Sequence, residues 1–401
     1  MADFRFEIIA KDMNCRARAG VIKTRHGEIE TPYLVPVATS ASVRGMDCDA
    51  LERIGVQCVL ANTYHLHFQP GDKLIGKFGG LHKFMSWRKP IFTDSGGFQA
   101  FSLGLGALHG TKKIGFIPQN KEVKEEKKEE ELLAKVSDKG VEFRSAYDGA
   151  ISFLTPKDSM EIQSNLGADI IMAFDECTSQ RSKKEYVKKS VERTHRWAIE
   201  SLKYHDKKQA LYGIIQGGFF KDLREESTKF IMKQGFDGIA IGGALGETKK
   251  DMKDVLSWIM GILQDDARPR HMLGIGWVDD LFECVENGLD TFDCVHMTRL
   301  ARHGGLYVAS GEGNMKNKFK IEINKAKYSE DKKPIDSTCD CPTCKKYSRA
   351  YLHHLYKAKE ISYYTLATTH NVYFMLSLAK KIRGAIIKGN FKELKKEWIG
   401  V

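Results

Sequence analysis

The stretch IFTDSGGFQAF, from Ile91 to Phe101, sets a carboxylate, a hydroxyl and two glycines at the end of a short apolar run. Ile91 and Phe92 read as a strand end, Asp94 and Ser95 as the polar groups at its tip, and Gly96 and Gly97 as a turn able to approach a ligand closely. An Asx-type turn, with Asp94 only capping the next segment, explains the same residues locally. Recurrence argues for chemistry. Asn62, Asp94, Asp175 with Cys177, Gln216 with Gly217 and Gly218, Gly242 with Gly243, Gly274 with Gly276, and Asp293 all stand at the ends of apolar runs. Asp293 and Asp94 are the informative pair, because two carboxylates facing a sugar carbon suit the breaking of a glycosidic bond. One attacks or stabilises the oxocarbenium-like centre and the other shuttles the leaving group's proton. Asp175 and Gln216, with the backbone amides at Gly242 and Gly243, offer the donors and acceptors needed to read the edge of a flat, purine-like base.

These residues need a scaffold that brings strand ends together. Apolar runs occur at Tyr33–Val37, Gln57–Ala61, Pro90–Thr93, Asp169–Phe174, Ala210–Ile215, Gly238–Ile241, His271–Ile275 and Asp290–Val295. Helix-like segments lie between most of them, at Thr155–Leu166, Lys183–His205, Lys221–Gln234, Lys249–Leu263 and Asp279–Glu286. Strands apolar on both faces and alternating with amphipathic helices predict an α/β fold, a closed (β/α)8 TIM barrel, with a doubly wound open sheet as the alternative. Residues 1–32 read as an antiparallel hairpin lid, 33–312 as the barrel, and 313–401 as a metal-binding helical subdomain. From about Leu105 to Lys139 the rhythm breaks into an insertion rich in lysine and glutamate, read as a solvated helix or a disordered loop.

Cys339-Asp-Cys341-Pro-Thr-Cys344 places three soft ligands on a tight loop, and tetrahedral zinc needs one more, with His353, His354 and His370 as candidates. Four protein ligands leave no open position, so this is a structural zinc site. Nine cysteines so distributed do not resemble a secreted disulfide framework, and no apolar stretch is long enough to span a bilayer. We expect a cytoplasmic, globular protein. The net charge of +11 points to a polyanionic partner, and Thr298, Arg299 and Arg302 form a cationic turn directly after the Asp293 strand.

TDSGGFQ (93–99), MAFDECTS (172–179), GIIQGG (213–218), TFDCV with TRLAR (291–302) and CDCPTC with TTHN together resemble the queuine/prequeuosine-type tRNA-guanine transglycosylases. ETPYLVPV, NTYHL, FRSAYDG and YSRAYLHHL extend the resemblance over nearly the whole chain. It implies exchange of the wobble guanine of a tRNA with a G-U-N anticodon for a 7-deazaguanine, through a covalent enzyme–ribosyl intermediate. It further implies Asp293 as nucleophile and Asp94 as general acid/base. Ser95, Asp175, Cys177, Gln216, Gly243 and the Ala244 carbonyl fall at the base pocket, and Thr298, Arg299 and Arg302 at the anticodon. Zinc then falls to Cys339, Cys341, Cys344 and His370, and the working unit to a homodimer. Cys177 and Leu245 resemble the bacterial members, which implies an aminomethyl-deazaguanine, rather than the archaeal relatives that act on a D-loop guanine. A catalytically silent tRNA- or subunit-binding paralogue is the alternative, but such relatives lose catalytic carboxylates and this chain keeps both. It departs from the family pattern in the IGGALGE loop, one residue short, in His296 and Met297 before Thr298, and in His271, expected to alter stacking on the base.

Overall fold

Runs of alternating polarity at the N-terminus pair into an antiparallel sheet, whereas the uninterrupted apolar runs that follow close into a barrel. The computed structural model describes residues 4–100, 134–145 and 147–400. Strands β1 (Arg5–Lys11), β2 (Arg18–Thr24) and β3 (Gly27–Thr31) form a three-stranded sheet in that order, one strand more than a hairpin. The barrel strands are β4 (Tyr33–Ala38), β5 (Val59–Ala61) and β6 (Ile91–Thr93). A second antiparallel sheet intervenes, made of β7 (Ala134–Ser137), β8 (Gly140–Arg144) and β9 (Ile151–Leu154). The barrel then resumes with β10 (Ile170–Met172), β11 (Ala210–Ile215), β12 (Gly238–Ile241), β13 (Arg270–Met272) and β14 (Thr291–Cys294). It closes in the order β10-β11-β12-β13-β14-β4-β5-β6. All eight expected strands are present. Every residue of β4, β11 and β12 is buried, as parallel strands covered on both faces must be.

Local sequence sets the helix starts. Thr155 and Asp158 form a reciprocal capping box with Pro156 in the first turn of helix Pro156–Leu166, and Thr248 with Asp251 does the same for Lys249–Leu263. Two compact units divide the chain, one built around residues 61–273 and the other from 5–60 and 274–401, with 24–26 belonging to the first. Inside the first, His271 of β13 is fully buried and its ring stacks on Phe92 at 5.3 Å, so it packs the barrel wall instead of offering a face to a ligand. Also in that unit, the carboxylate of Asp169, ahead of β10, takes hydrogen bonds from His26 Nδ1 at 2.6 Å, His82 Nε2 at 3.1 Å and the Ile91 amide at 2.9 Å.

Two expectations need correction. Residues 134–139 of the supposed insertion are not a helix or loose loop: Ala134–Ser137 pairs with β8 from Ala134↔Phe143 to Ser137↔Gly140. Alternating burial and the Asp138 turn, held by Arg193, Arg196 and the Trp197 indole, stabilise a strand that the surrounding charges disguised. The remainder, 105–133, lies outside the described residues. The cationic turn after β14 is in fact a helix, His296–Arg302.

The second unit continues with a ribbon of β15 (Gly305–Tyr307) and β16 (Lys320–Glu322), then helices including the 28-residue Ile361–Lys388. Arg383 of that helix donates to the Gly20 and Thr31 carbonyls of the N-terminal sheet. Arg18 of β2 makes two bonds to Asp290, at 2.9 and 2.6 Å, with side chains 4% and 0% exposed. Removing one member of such a pair strands the other charge in the core. Arg18→Met is therefore expected to lower unfolding free energy by ~3–5 kcal/mol, read as a shifted urea midpoint.

Candidate active site and metal centre

The chain turns at the ends of β6, β10, β11 and β12 supply one connected network of buried polar groups. Asp175, beyond β10 and 5% exposed, accepts Ser95 Oγ at 3.0 Å on one oxygen and Gln216 Nε2 at 2.6 Å on the other. Burial pushes its carboxyl up to about 6, against the lowering pull of Gln216 and Ser95. Gln216 has an Oε1 that is buried and without a hydrogen-bond partner, an acceptor waiting for a donor. Gly243 must be glycine, since its φ is +79° and a Cβ there would sit 2.3 Å from Gln216 Oε1. Its amide bonds the Cys177 sulfur, and burial pushes that thiol up to about 12, so it stays protonated as a small packing group. Gly97 is similarly constrained, because a Cβ would meet the Asp175 carbonyl at 2.8 Å.

Asp94, immediately after β6 and half-buried, is held by three donors: the Asn62 side-chain amide, the Thr63 backbone N–H at 2.8 Å and Gln99 Nε2 at 3.0 Å. Asn62 also caps helix Thr63–Phe68 through the His65 amide, so the residues that aim Asp94 are themselves fixed. In the other unit, Asp293 lies within β14, half-buried, and its Oδ1 accepts the Gly274 amide at 3.2 Å. Helix His296–Arg302 follows at once. There Thr298 Oγ1 donates to the Val295 carbonyl and accepts Arg302 Nη1 at 3.3 Å. Burial and the neighbouring Arg44 and Arg299 guanidiniums lower the Arg302 pKa, so three cations crowd one another, an arrangement that an anion relieves.

Cys339, Cys341 and Cys344 present their sulfurs to His370 Nδ1 at 3.7, 3.5 and 3.3 Å. Thiolate and imidazole ligands on one tetrahedral ion stand about 3.6 Å apart, so the four groups are spaced to hold a metal. The other ring nitrogen, Nε2, lies 2.8 Å from the Tyr307 carbonyl, which can only accept. The proton is therefore on Nε2, and Nδ1 faces the sulfurs with its lone pair. His353 bonds the Ile323 carbonyl and His354 is exposed, and neither joins the cluster. A second group, His26, His82 and Asp169, could also hold an ion. Its imidazoles stack at 3.6 Å, however, and parallel rings do not aim their in-plane lone pairs at one point. Burial notwithstanding, the hydrogen bonds from His82 and His26 hold the Asp169 carboxyl below its usual range, as a brace does.

The sequence did not mark Arg224. It is fully buried in helix Lys221–Met232 and gives Nε to Gly218 O, Nη1 to Ile215 O and Gly242 O, and Nη2 to Ala244 O. It thereby ties the ends of β11 and β12 together beneath the pocket. Buried Leu223, Ser227, Thr228 and Ile231 on the same helix face are the signal that could have found it.

The structure joins a (β/α)8 barrel carrying polar side chains at its strand ends to a Cys3His cluster able to hold a metal ion. The family model described as queuine tRNA-ribosyltransferase matches residues 12–400. A putative queuine tRNA-ribosyltransferase of Archaeoglobus fulgidus is 53% identical over 391 residues, covering 96% of this chain and 97% of the relative. Queuine tRNA-ribosyltransferases of Roseiflexus sp. and Caldanaerobacter subterraneus are each 44% identical, with 99% and 100% of this chain covered and 99% and 98% of theirs. The chain belongs to the queuine tRNA-ribosyltransferase family. Among the described residues no helix is long and apolar enough to cross a membrane.

The metal centre yields a direct expectation. Cys344→Ser should drop bound metal from about one equivalent per chain to a small fraction, measured by elemental analysis after dialysis, and should lower the melting temperature.

Proposed function

We propose that the protein is an active tRNA-guanine transglycosylase that replaces the wobble guanine of tRNAs with G-U-N anticodons by a 7-deazaguanine. The observation that carries this is the Ser95–Asp175–Gln216–Gly243 network, a buried donor–acceptor array with the unpartnered Gln216 Oε1. A base edge completes it: an ionised Asp175 accepts the ring N–H, Gln216 Oε1 accepts from the amino group, and the Gly243 N–H serves the carbonyl side.

Asp293 attacks C1′ of the ribose and displaces guanine, forming an ester to the RNA. Asp94 gives the departing base its proton and then takes one from the incoming base, which attacks C1′ and frees Asp293. The hydrogen bonds from Asn62, Thr63 and Gln99 hold the Asp94 carboxyl oriented until substrate competes for it. Arg299, Arg302 and Thr298 grip anticodon phosphates, consistent with the crowding of unneutralised guanidiniums there. Cys339, Cys341, Cys344 and His370 hold structural zinc, which supplies cross-linking of the C-terminal helices and no chemistry. The sequence resemblance supports a homodimer, an aminomethyl substituent on the incoming base, and the division into lid (1–32), barrel (33–312) and zinc-binding subdomain (313–401). Retention of both carboxylates disfavours a silent paralogue.

Labelled guanine should enter a G-U-N tRNA with wild-type protein. Asp293→Ala should abolish incorporation, and Asp94→Asn should lower it at least 10³-fold. No incorporation by folded, metal-loaded wild type would leave the silent paralogue. A second expectation concerns pH. Base reading needs the Asp175 carboxylate, so kcat/KM should fall ~10-fold per unit below pH about 6. Because that carboxyl is raised in the folded state, its contribution to stability improves as pH falls from 6 towards 4, so this loss is not unfolding by this group. A flat kcat/KM between pH 5 and 7 would remove Asp175 from base reading.

A further inference from the structure

For Asp293 to attack a sugar carbon its carboxylate must hold one orientation, and a contact that holds it comes from the segment after the neighbouring strand. Its Oδ1 accepts the amide of Gly274, two residues beyond β13, at 3.2 Å. Gly274 is exposed, its φ is +76°, and nothing lies within 4 Å of where its Cβ would be. The donor is therefore not packed in place by its own surroundings, and neighbouring residues must fix it. Gly276 helps, because a Cβ there would sit 2.5 Å from the Cys294 Cβ, so the segment runs directly against β14. Cys294 Sγ adds a weak bond to the Gly274 carbonyl at 3.8 Å.

Trp277 ends the segment. It is the N-cap of helix Val278–Glu286 but makes no side-chain cap hydrogen bond, at a position where serine or aspartate would stabilise the helix. What the indole does instead is pack against the His296 imidazole, with ring centres 3.8 Å apart and planes tilted by 41°. Lys318 sets its ammonium 5.0 Å from the indole centre, a cation–π contact. His296 opens the helix that follows β14 and is one of the residues in which the chain departs from the family pattern. Its ring also meets Tyr307 edge-on at 6.5 Å, and the carbonyl of that buried tyrosine accepts His370 Nε2 at 2.8 Å. Each ring of the Trp277–His296 pair stands three residues from one end of the Gly274–Asp293 hydrogen bond. The ring contact and the hydrogen bond thus bridge the same two segments.

We propose that Trp277 and His296 are positioning residues: their ring contact clasps the segment after β13 to the helix after β14 and so keeps the Gly274 amide on the nucleophile. The proposal rests on the transglycosylase function above. Neither ring touches a reacting atom. Aromatic pairs at this separation attract beyond the area they bury, which suits them to hold a segment that is otherwise exposed.

The test uses full-length, metal-loaded protein and a stem-loop RNA with a G-U-N anticodon, without added base. It reads the single-turnover rate at which RNA-linked protein accumulates and the Kd for the RNA. His296→Ala and Trp277→Ala should each slow adduct formation ~10-fold with Kd within about 2-fold of wild type, because a nucleophile that swings loses alignment and not affinity. The double variant should be no slower than either single, since both remove the same contact. His296→Phe supplies a flat ring again and should recover most of the rate. Weaker RNA binding at an unchanged rate would make the rings an RNA contact and overturn the proposal. So would losses that multiply in the double variant, or His296→Phe as slow as His296→Ala, the result of a fold-wide defect. Should an alanine variant not fold, His296→Leu, which keeps bulk without a flat face, should show the same loss of rate, and a wild-type rate there overturns the proposal. A folded wild type that forms no adduct removes the transglycosylase function and the proposal with it, whereas an adduct in wild type and equal rates in the variants remove the proposal alone.

Discussion

Burial of parallel strands on both faces is the constraint from which the rest of this structure follows. A strand such as β11, with six buried residues, has no solvent-facing side for a charged side chain along its length. Polar chemistry is displaced to the positions where strands end: Asp94 after β6, Asp175 after β10, Gln216 after β11, Gly243 after β12. The same barrel that makes the core apolar makes the strand ends the place where carboxylates can gather without breaking it.

Polar groups at those ends are still largely dehydrated, so each must find partners within the protein. Asp175 is satisfied by Ser95 and Gln216, and Asp94 by Asn62, Thr63 and Gln99. Arg224 answers the acceptors: four backbone carbonyls, from the last residue of β11 and from the turns after β11 and β12, converge on one guanidinium, whose planar fork suits such an array. The result is a wall built from backbone and held together by a buried cation.

How much of this was legible depended on whether the signal was local. All eight barrel strands were readable because apolar runs bounded by glycine and acidic residues leave little alternative, and the helix at 156 was announced by Thr155, Pro156 and Asp158. The cysteine loop named three ligands by spacing, whereas choosing among His353, His354 and His370 needed resemblance, since chain distance does not say which histidine folds back. Arg224 was illegible because, beside Lys221, Asp222 and Glu225, it reads as one more surface charge, and its burial is a tertiary fact. His26, His82 and Asp169 are separated by 143 residues of chain, and only the fold unites them. Strand β7 was missed because its apolar alternation is short and follows a dense lysine and glutamate run.

The most direct measurement of the central claim, that a strand-borne carboxylate carries the RNA through the reaction, is mass spectrometry of the protein after incubation with a stem-loop RNA bearing the wobble guanine and acid quenching. An ester-linked RNA mapped by digestion to the peptide containing Asp293, and absent from Asp293→Asn, is the predicted result. Guanine exchange proceeding at full rate in Asp293→Asn, or an adduct mapping to Asp94 instead, would contradict it.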